Sequence, residues 1–384
     1  MATMEFELEQ GVFLSALHKA QGVVDKKSTA NVLSNVLLKA TEDGMLRLVG
    51  TDFDVVLQAD LPAEILQPGT ACVNAKGLYD VVKNADSKAV HLRALDNDWV
   101  EITSGRSRFK IAGFNPADFP DVAVNQDARW FGVPRGVLKD IIDKTSFSVS
   151  DDETRMNLNG VFLKLSPSPE TPSEGGERLG RFTGVSTDGH RLSRVQIDAE
   201  VAGFDGETYE AIVHKKGVHE LKRLLDSDSP LVDVAFGKGD VLFRSGGTTF
   251  TVRQIEDRFP DYERVIPASS PIRIEVDRAR LVSAIRRIAV LTSSKTYIVK
   301  MELSPGQLAF TTSNPDYGEG RDELDVEFQG EGVVIGFNYT YLLDVLSVIR
   351  GDKVVFELSD EYGPTVITAP GEPGSLFVVM PMRI

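Results

Sequence analysis

Two short strings recur in this chain at a single spacing. Lys76-Gly77 returns as Lys216-Gly217, and Phe119-Pro120-Asp121 returns as Phe259-Pro260-Asp261, both 140 positions later. Independent strings sharing one offset mark an internal repeat. An offset of this size in 384 residues means tandem domains rather than a short-period solenoid. Each Lys-Gly opens an amphipathic helical pattern, at 73–82 and 213–221. A third copy, 337–346, keeps the pattern without the Lys-Gly.

A second helical set precedes these. It covers 11–17, 136–142 and 280–285, with apolar residues at helical spacing, as in Leu138, Ile141 and Ile142 or Leu281, Ile285 and Ile288. Between the helices run alternating segments punctuated by turn residues, for example 231–236, 240–244 and 248–255. They predict antiparallel meanders. Each Phe-Pro-Asp falls just before the next repeat, where a proline suits the end of a strand. The expected class is α+β: three tandem copies of a two-helix, antiparallel-sheet domain, at 1–128, 129–271 and 272–384. Residues 166–180, rich in Pro, Gly and Glu, read as a surface excursion.

The search for chemistry comes back empty. There is no phosphate-loop string, no zinc helix and no nucleophile elbow. The five histidines are scattered singly, and the lone Cys72 rules out an internal disulfide and suits a reducing cytoplasm. No apolar run reaches the about 18 residues of a membrane helix, so no membrane partner is expected. An acid and base pair at Asp188 and His190 is the competing enzymatic reading, but it lacks a nucleophile or metal set and leaves the repeat unexplained. The net charge of -15 argues, taken whole, against nucleic acid.

With Thr187-Asp188-Gly189-His190-Arg191-Leu192 in the second repeat and Met380-Pro381-Met382-Arg383-Ile384 at the end, the chain resembles, along essentially its whole length, the bacterial sliding clamps. These are the β subunits of the DNA polymerase III holoenzyme. The resemblance implies a head-to-tail homodimeric ring around double-stranded DNA, without sequence readout, catalysis, cofactor or metal. It also implies a replicative polymerase, a clamp loader with its own ATPase, and other replication and repair proteins, which dock through short peptides often containing Gln and Leu-Phe.

Three sets of residues follow from the resemblance. The peptide pocket comprises Leu158, Thr187, Gly189, His190, Arg191, Leu192, Pro260, Arg264, Val265, Val378, Met380, Pro381, Met382 and Arg383. The dimer seam comprises Phe109, Val290 and Leu291. The basic residues of the repeat helices, expected to face DNA, are Lys26, Lys27, Lys76, Lys139, Lys215, Lys216, Lys222, Arg223, Arg278, Arg280, Arg286 and Arg287. The charge distribution agrees with the last set. The six helical segments with their flanks, 11–27, 73–88, 135–144, 213–226, 277–287 and 337–350, together carry +9, which leaves -24 for everything else. DNA contacts would then be to phosphates, through a basic lining inside an acidic body.

Overall fold

In each repeat a strand runs straight into a helix through a polar cap. The Asn74 side chain accepts from the Gly77 N–H at 2.9 Å, Asn338 from Thr340 at 2.9 Å, and the His214 Nδ1 from Lys216 at 3.3 Å. These are the same point of the three repeats. Each cap satisfies a donor that the first helical turn leaves orphaned. The computed structural model describes residues 2–24, 31–122, 128–169, 179–226, 228–292 and 297–384. Among them are six α-helices: α1 (Gln10–Val23), α2 (Ala75–Lys83), α3 (Arg135–Thr145), α4 (Lys215–Leu225), α5 (Arg278–Ala289) and α6 (Tyr339–Val348). All six fall on the helical segments expected from periodicity.

The predicted meanders are present, as in Leu231–Phe236, Asp240–Ser245 and Thr248–Arg253. Strand residues alternate between core and surface, as in Ala89–Leu95, and the helices bury their apolar stripes against the sheets. Ser166 and Pro167, read as the start of an excursion, instead end the strand Gly160–Pro167. They pair with Arg181 and Gly180 of Leu179–Thr187. Residues 170–178 of that excursion lie outside the described residues.

The sheets do not respect the repeat limits. Thr248–Arg253 of the second repeat pairs antiparallel with Val55–Pro62 of the first, with Phe250 opposite Leu57. At the equivalent place Ser375–Val379 of the third repeat pairs with Arg191–Glu200 of the second, with Phe377 opposite Ser193. We call these the first and second junctions. Continuous strand pairing across them builds sheets of thirteen and eight strands; the third repeat keeps a separate four-stranded sheet.

The helices pack in a matching row. α2 lies against α1, α1 against α4, α4 against α3, α3 against α6, and α6 against α5. Two strands equivalent to the junction strands keep an open edge among the described residues: Ser107–Phe114 of the first repeat, open up to Ala112 because Gly113 and Phe114 pair with Val73 and Cys72, and Gly318–Asp325 of the third. They stand at opposite ends of this series.

Candidate functional site

At the second junction the string Thr187 to Leu192 folds into a tight turn. The Thr187 Oγ1 donates to the Arg191 carbonyl at 2.7 Å and accepts from the Gly189 N–H at 3.1 Å. Asp188 accepts from the backbone N–H groups of His190 and Arg191, and from the Arg191 Nε at 3.0 Å. Its carboxylate is thus engaged in holding the turn, and its bond to His190 is to the backbone N–H rather than to the imidazole. Gly189 sits at φ +90°, a conformation open to glycine at no steric cost. The Arg191 guanidinium spans the junction. It donates to the Phe147 carbonyl at 2.6 Å, pairs with Asp344 at 2.5 Å and lies 4.3 Å from the Tyr341 ring centre.

The C-terminal segment docks on this turn. Leu192 pairs with Val378 and Arg191 with Val379, and the Met380 N–H donates to the His190 carbonyl at 2.8 Å. Beneath lies an apolar floor of Val185, Leu192, Ile212, Phe259, Val366 and Val378, with Phe162 stacked on Phe259 at 5.1 Å. Tyr262 packs on it too and opens the 3-10 turn Tyr262–Val265, which carries Arg264 and Val265 to the surface beside exposed Pro260. Leu158 is buried in the 3-10 turn Met156–Leu158, and the Asn157 side chain ties that turn to the Arg258 carbonyl.

Of the expected pocket residues, Thr187, Gly189, His190, Arg191, Leu192, Val378 and Met380 therefore come together. Leu158, Pro260, Arg264 and Val265 form the flanking wall. Pro381 leads out of the cleft, Met382 bonds across the third repeat to the Gly336 carbonyl, and Arg383 continues beyond it, exposed. Sequence reasoning missed Phe147, Phe162, Phe259, Tyr341 and Asp344. A signal for Tyr341 existed. It replaces the glycine of the Lys-Gly repeat, and its ring is the face on which Arg191 stacks.

Comparison with known proteins bears on this arrangement. Family models match in tandem: the DNA polymerase III beta subunit N-terminal domain at residues 4–123, its central domain at 132–261 and its C-terminal domain at 263–383. The beta sliding clamp of Pseudomonas aeruginosa is 34% identical over 382 residues, 99% of this chain and 100% of the relative. The clamp of Caulobacter vibrioides is also 34% identical, over 385 residues and 99% of this chain. The chain belongs to the DNA polymerase III beta subunit family. The solved beta subunit of Pseudomonas aeruginosa superposes with a TM-score of 0.90 at 33% identity, over 99% of this chain and 100% of that one. A sliding clamp from Bartonella birtlesii bound to griselimycin gives 0.90 at 31% identity, over the same shares.

The described basic residues of this family member divide into three groups. Lys26 and Lys27 lie outside the described residues. Arg280 and Arg286 on α5 are exposed, and neither side chain has an ion pair among the described residues. Lys76, Lys139, Lys215, Lys222, Arg223 and Arg287 lie on their helices but pair with Asp80, Asp226, Asp151, Asp143, Glu220 and Asp322 respectively. The hydrogen bond to Asp226 pushes the Lys139 ammonium above its usual pKa. Lys216 and Arg278 are occupied inside the protein. Lys216 crosses the first junction to Asp52 and the Val23 carbonyl. Arg278 donates to the carbonyls of Leu346 and Gly351, closing the end of α6.

His214 is a further charge-sensitive point. Its cap on α4 needs an unprotonated Nδ1, and burial holds the imidazole below its ordinary pKa. The neutral ring is therefore favoured in the folded chain. Its contribution is present above about pH 6.5 and is lost as pH falls through the lowered folded value. Asparagine occupies the matching position in the other two repeats. His214→Asn is expected to keep the cap and flatten the fall in unfolding midpoint between about pH 7.5 and 5. A fall as steep as in the unsubstituted chain would remove His214 from this account.

Proposed function

We propose that two copies of this chain close head to tail into a non-catalytic ring around duplex DNA. The ring tethers the replicative polymerase and offers a docking platform to other replication and repair proteins. The carrying observation is the unfinished series of junctions. Aligning the repeats by strand register makes Phe109 the counterpart of Phe250 and Phe377, and makes Gly320 the counterpart of Leu57 and Ser193. Closing the third junction between copies sets Phe109 of one opposite Gly320 of the other. It also sets Lys110 opposite Glu319, and Arg106 opposite Glu323. These two pairs are complementary, which favours correct encounter, while Arg108 falls opposite Arg321, each held by a carboxylate of its own copy, Glu101 and Glu302.

The other seam residues fit the same alignment. Leu291 lies over Gly320, where an added Cβ would stand 3.0 Å from its Cδ1. Val290 is 77% exposed. It is the counterpart of Phe147, whose ring lies 6.1 Å from that of Phe377 inside the second junction. Lys76 holds on α2 the place Lys216 holds on α4, so we assign it to the edge of the seam rather than to DNA. A heterologous contact of this kind gives a ring only when its rotation closes. The helix row would then continue from α5 of one copy to α2 of the next.

The charge pattern supports helices inward. Weak phosphate contacts by Arg280, Arg286 and the paired cations of α3 and α4 would permit sliding, and the acidic body would keep DNA off the outer wall. Tethering raises the local concentration of a bound polymerase without any chemical step. The cleft at Thr187–Leu192 and Met380, apolar below and rimmed by Arg and Met, suits short partner peptides of varied sequence. We take the functional domains as 1–128, 129–271 and 272–384, and the site of action as the cytoplasm. A clamp loader is expected to open the ring.

The test is topological. Protein loaded by its loader onto nicked circular DNA is expected to stay bound through gel filtration and to run off within minutes once the DNA is linearised. Equal retention on circle and linear forms would overturn the ring.

A further inference from the structure

The turn of the second junction has a close copy at the first. Thr51 Oγ1 donates to the Val55 carbonyl and accepts from the Phe53 N–H. Asp52 accepts from the N–H groups of Asp54 and Val55. The Arg253 N–H donates to the Asp54 carbonyl at 2.8 Å, as Met380 does to His190. The same backbone scaffold thus stands twice on the chain, once at each junction.

Beside the first copy lies a cavity of about 430 Å³. Its lining includes Asp54, Met156, His214, Arg253, Ile255 and Glu256. One large apolar side chain of the lining, Met156, is 64% exposed. Phe53, which precedes the lining residue Asp54 and holds the place of Gly189, is 60% exposed. The surface is continuous with the peptide pocket. Met156 and Leu158 belong to one 3-10 turn, Met156 facing this cavity and Leu158 buried beside the pocket. The segment 254–257 lines this cavity and also a neighbouring one of about 310 Å³ that reaches Phe259 and Pro260.

We infer that the first-junction groove is an extension of the peptide pocket. It takes the flank of a partner segment whose anchor sits at the second junction. The inference rests on the peptide reading proposed above. The chemistry of the flank follows from the lining. Met156 and Ile255 call for an apolar side chain. Asp54, Glu256 and Asp257 are exposed, without ion pairs among the described residues, against a single guanidinium, Arg253. His214 adds little positive charge near neutrality, because burial disfavours its protonation. The fitting flank therefore carries an apolar residue next to Lys or Arg.

Fluorescence anisotropy on the full-length protein tests this with four labelled peptides. One is a short segment carrying Gln and Leu-Phe. Two carry the same segment with a Lys-Leu-Lys extension, placed before it in one and after it in the other through a short Gly-Ser spacer. The fourth carries a Glu-Leu-Glu extension on the better side. One basic extension is expected to tighten binding at least fivefold, and the acidic one to give no gain. Met156→Ser and Glu256→Lys are expected to abolish the gain and leave the short peptide within twofold. No gain from either basic extension, an equal gain from the acidic one, or a gain that survives both substitutions would overturn the extension while leaving the pocket intact. A short peptide that does not bind at all would overturn the pocket and the extension together.

Discussion

Phe109→Ala is expected to raise the dimer dissociation constant by about 30- to 1000-fold, equivalent to about 2–4 kcal/mol at a buried aromatic anchor. The reasoning comes from the other two junctions. Phe250 and Phe377, at the same register, are fully buried where two repeats meet, whereas Phe109 is only half-buried in the single chain. Its remaining surface is what a second copy would cover. Because the side chain is already partly solvated, truncation should cost the isolated fold much less than it costs association. Sedimentation across about 0.1–10 µM protein, without DNA, reads the effect directly. The register has its own check. Arg106→Cys combined with Glu323→Cys should give an intermolecular disulfide under mild oxidation, since the remaining thiol, Cys72, is buried. A dissociation constant unchanged within threefold in Phe109→Ala, with no cross-linked species, would sink the third junction as described.

Much of this architecture is legible in the residues. The offset between Lys76-Gly77 and Lys216-Gly217 places the repeats, and helical spacing locates all six helices. Strand pairing across the repeats is not legible, because it joins segments nearly 200 positions apart, such as Val55–Pro62 and Thr248–Arg253. No local pattern encodes which edge meets which. For the same reason Lys216 reads as a lining cation from its helix alone. Only the folded chain brings Asp52 and the Val23 carbonyl to its ammonium.

The pocket shows the same division. Thr187 to Leu192 and Met380 are found by resemblance. The ring that receives Arg191 is signalled only by a departure, Tyr341 in place of a glycine. Phe119 and Phe259, used as repeat markers, prove to be buried plugs of small apolar clusters at the two junctions. Net charge points away from nucleic acid because the acidic excess lies outside the helical segments. The sum over the whole chain conceals that division.

The second large effect concerns the rigidity of the second junction. Lys144, on α3, is 3% exposed. Its ammonium donates to Asp140 at 2.8 Å and to the Ser375 hydroxyl at 3.1 Å, and it pairs with Glu372 at 2.6 Å. It thus joins the second repeat to the strand that carries the third. Burial alone would raise the Glu372 carboxyl. The hydrogen bonds from Lys144 and from the N–H groups of Arg350 and Gly351 outweigh it and hold that carboxyl below its usual range. Lys144→Met keeps the stem and removes the charge, which leaves Asp140 and Glu372 largely buried with one cation, Arg350, at the rim. Breaking a buried pair on one side costs about 3–5 kcal/mol, because the stranded anion is no longer compensated. In urea the variant is expected to show an early transition that exposes the second junction to protease before the first. Adding Glu372→Gln should restore part of the loss, since it removes the stranded charge along with its partner. If Lys144→Met unfolds like the unsubstituted chain, the network contributes nothing net to the junction. The strand pairing of Ser375–Val379 and the burial of Phe377 would then hold the second and third repeats together by themselves.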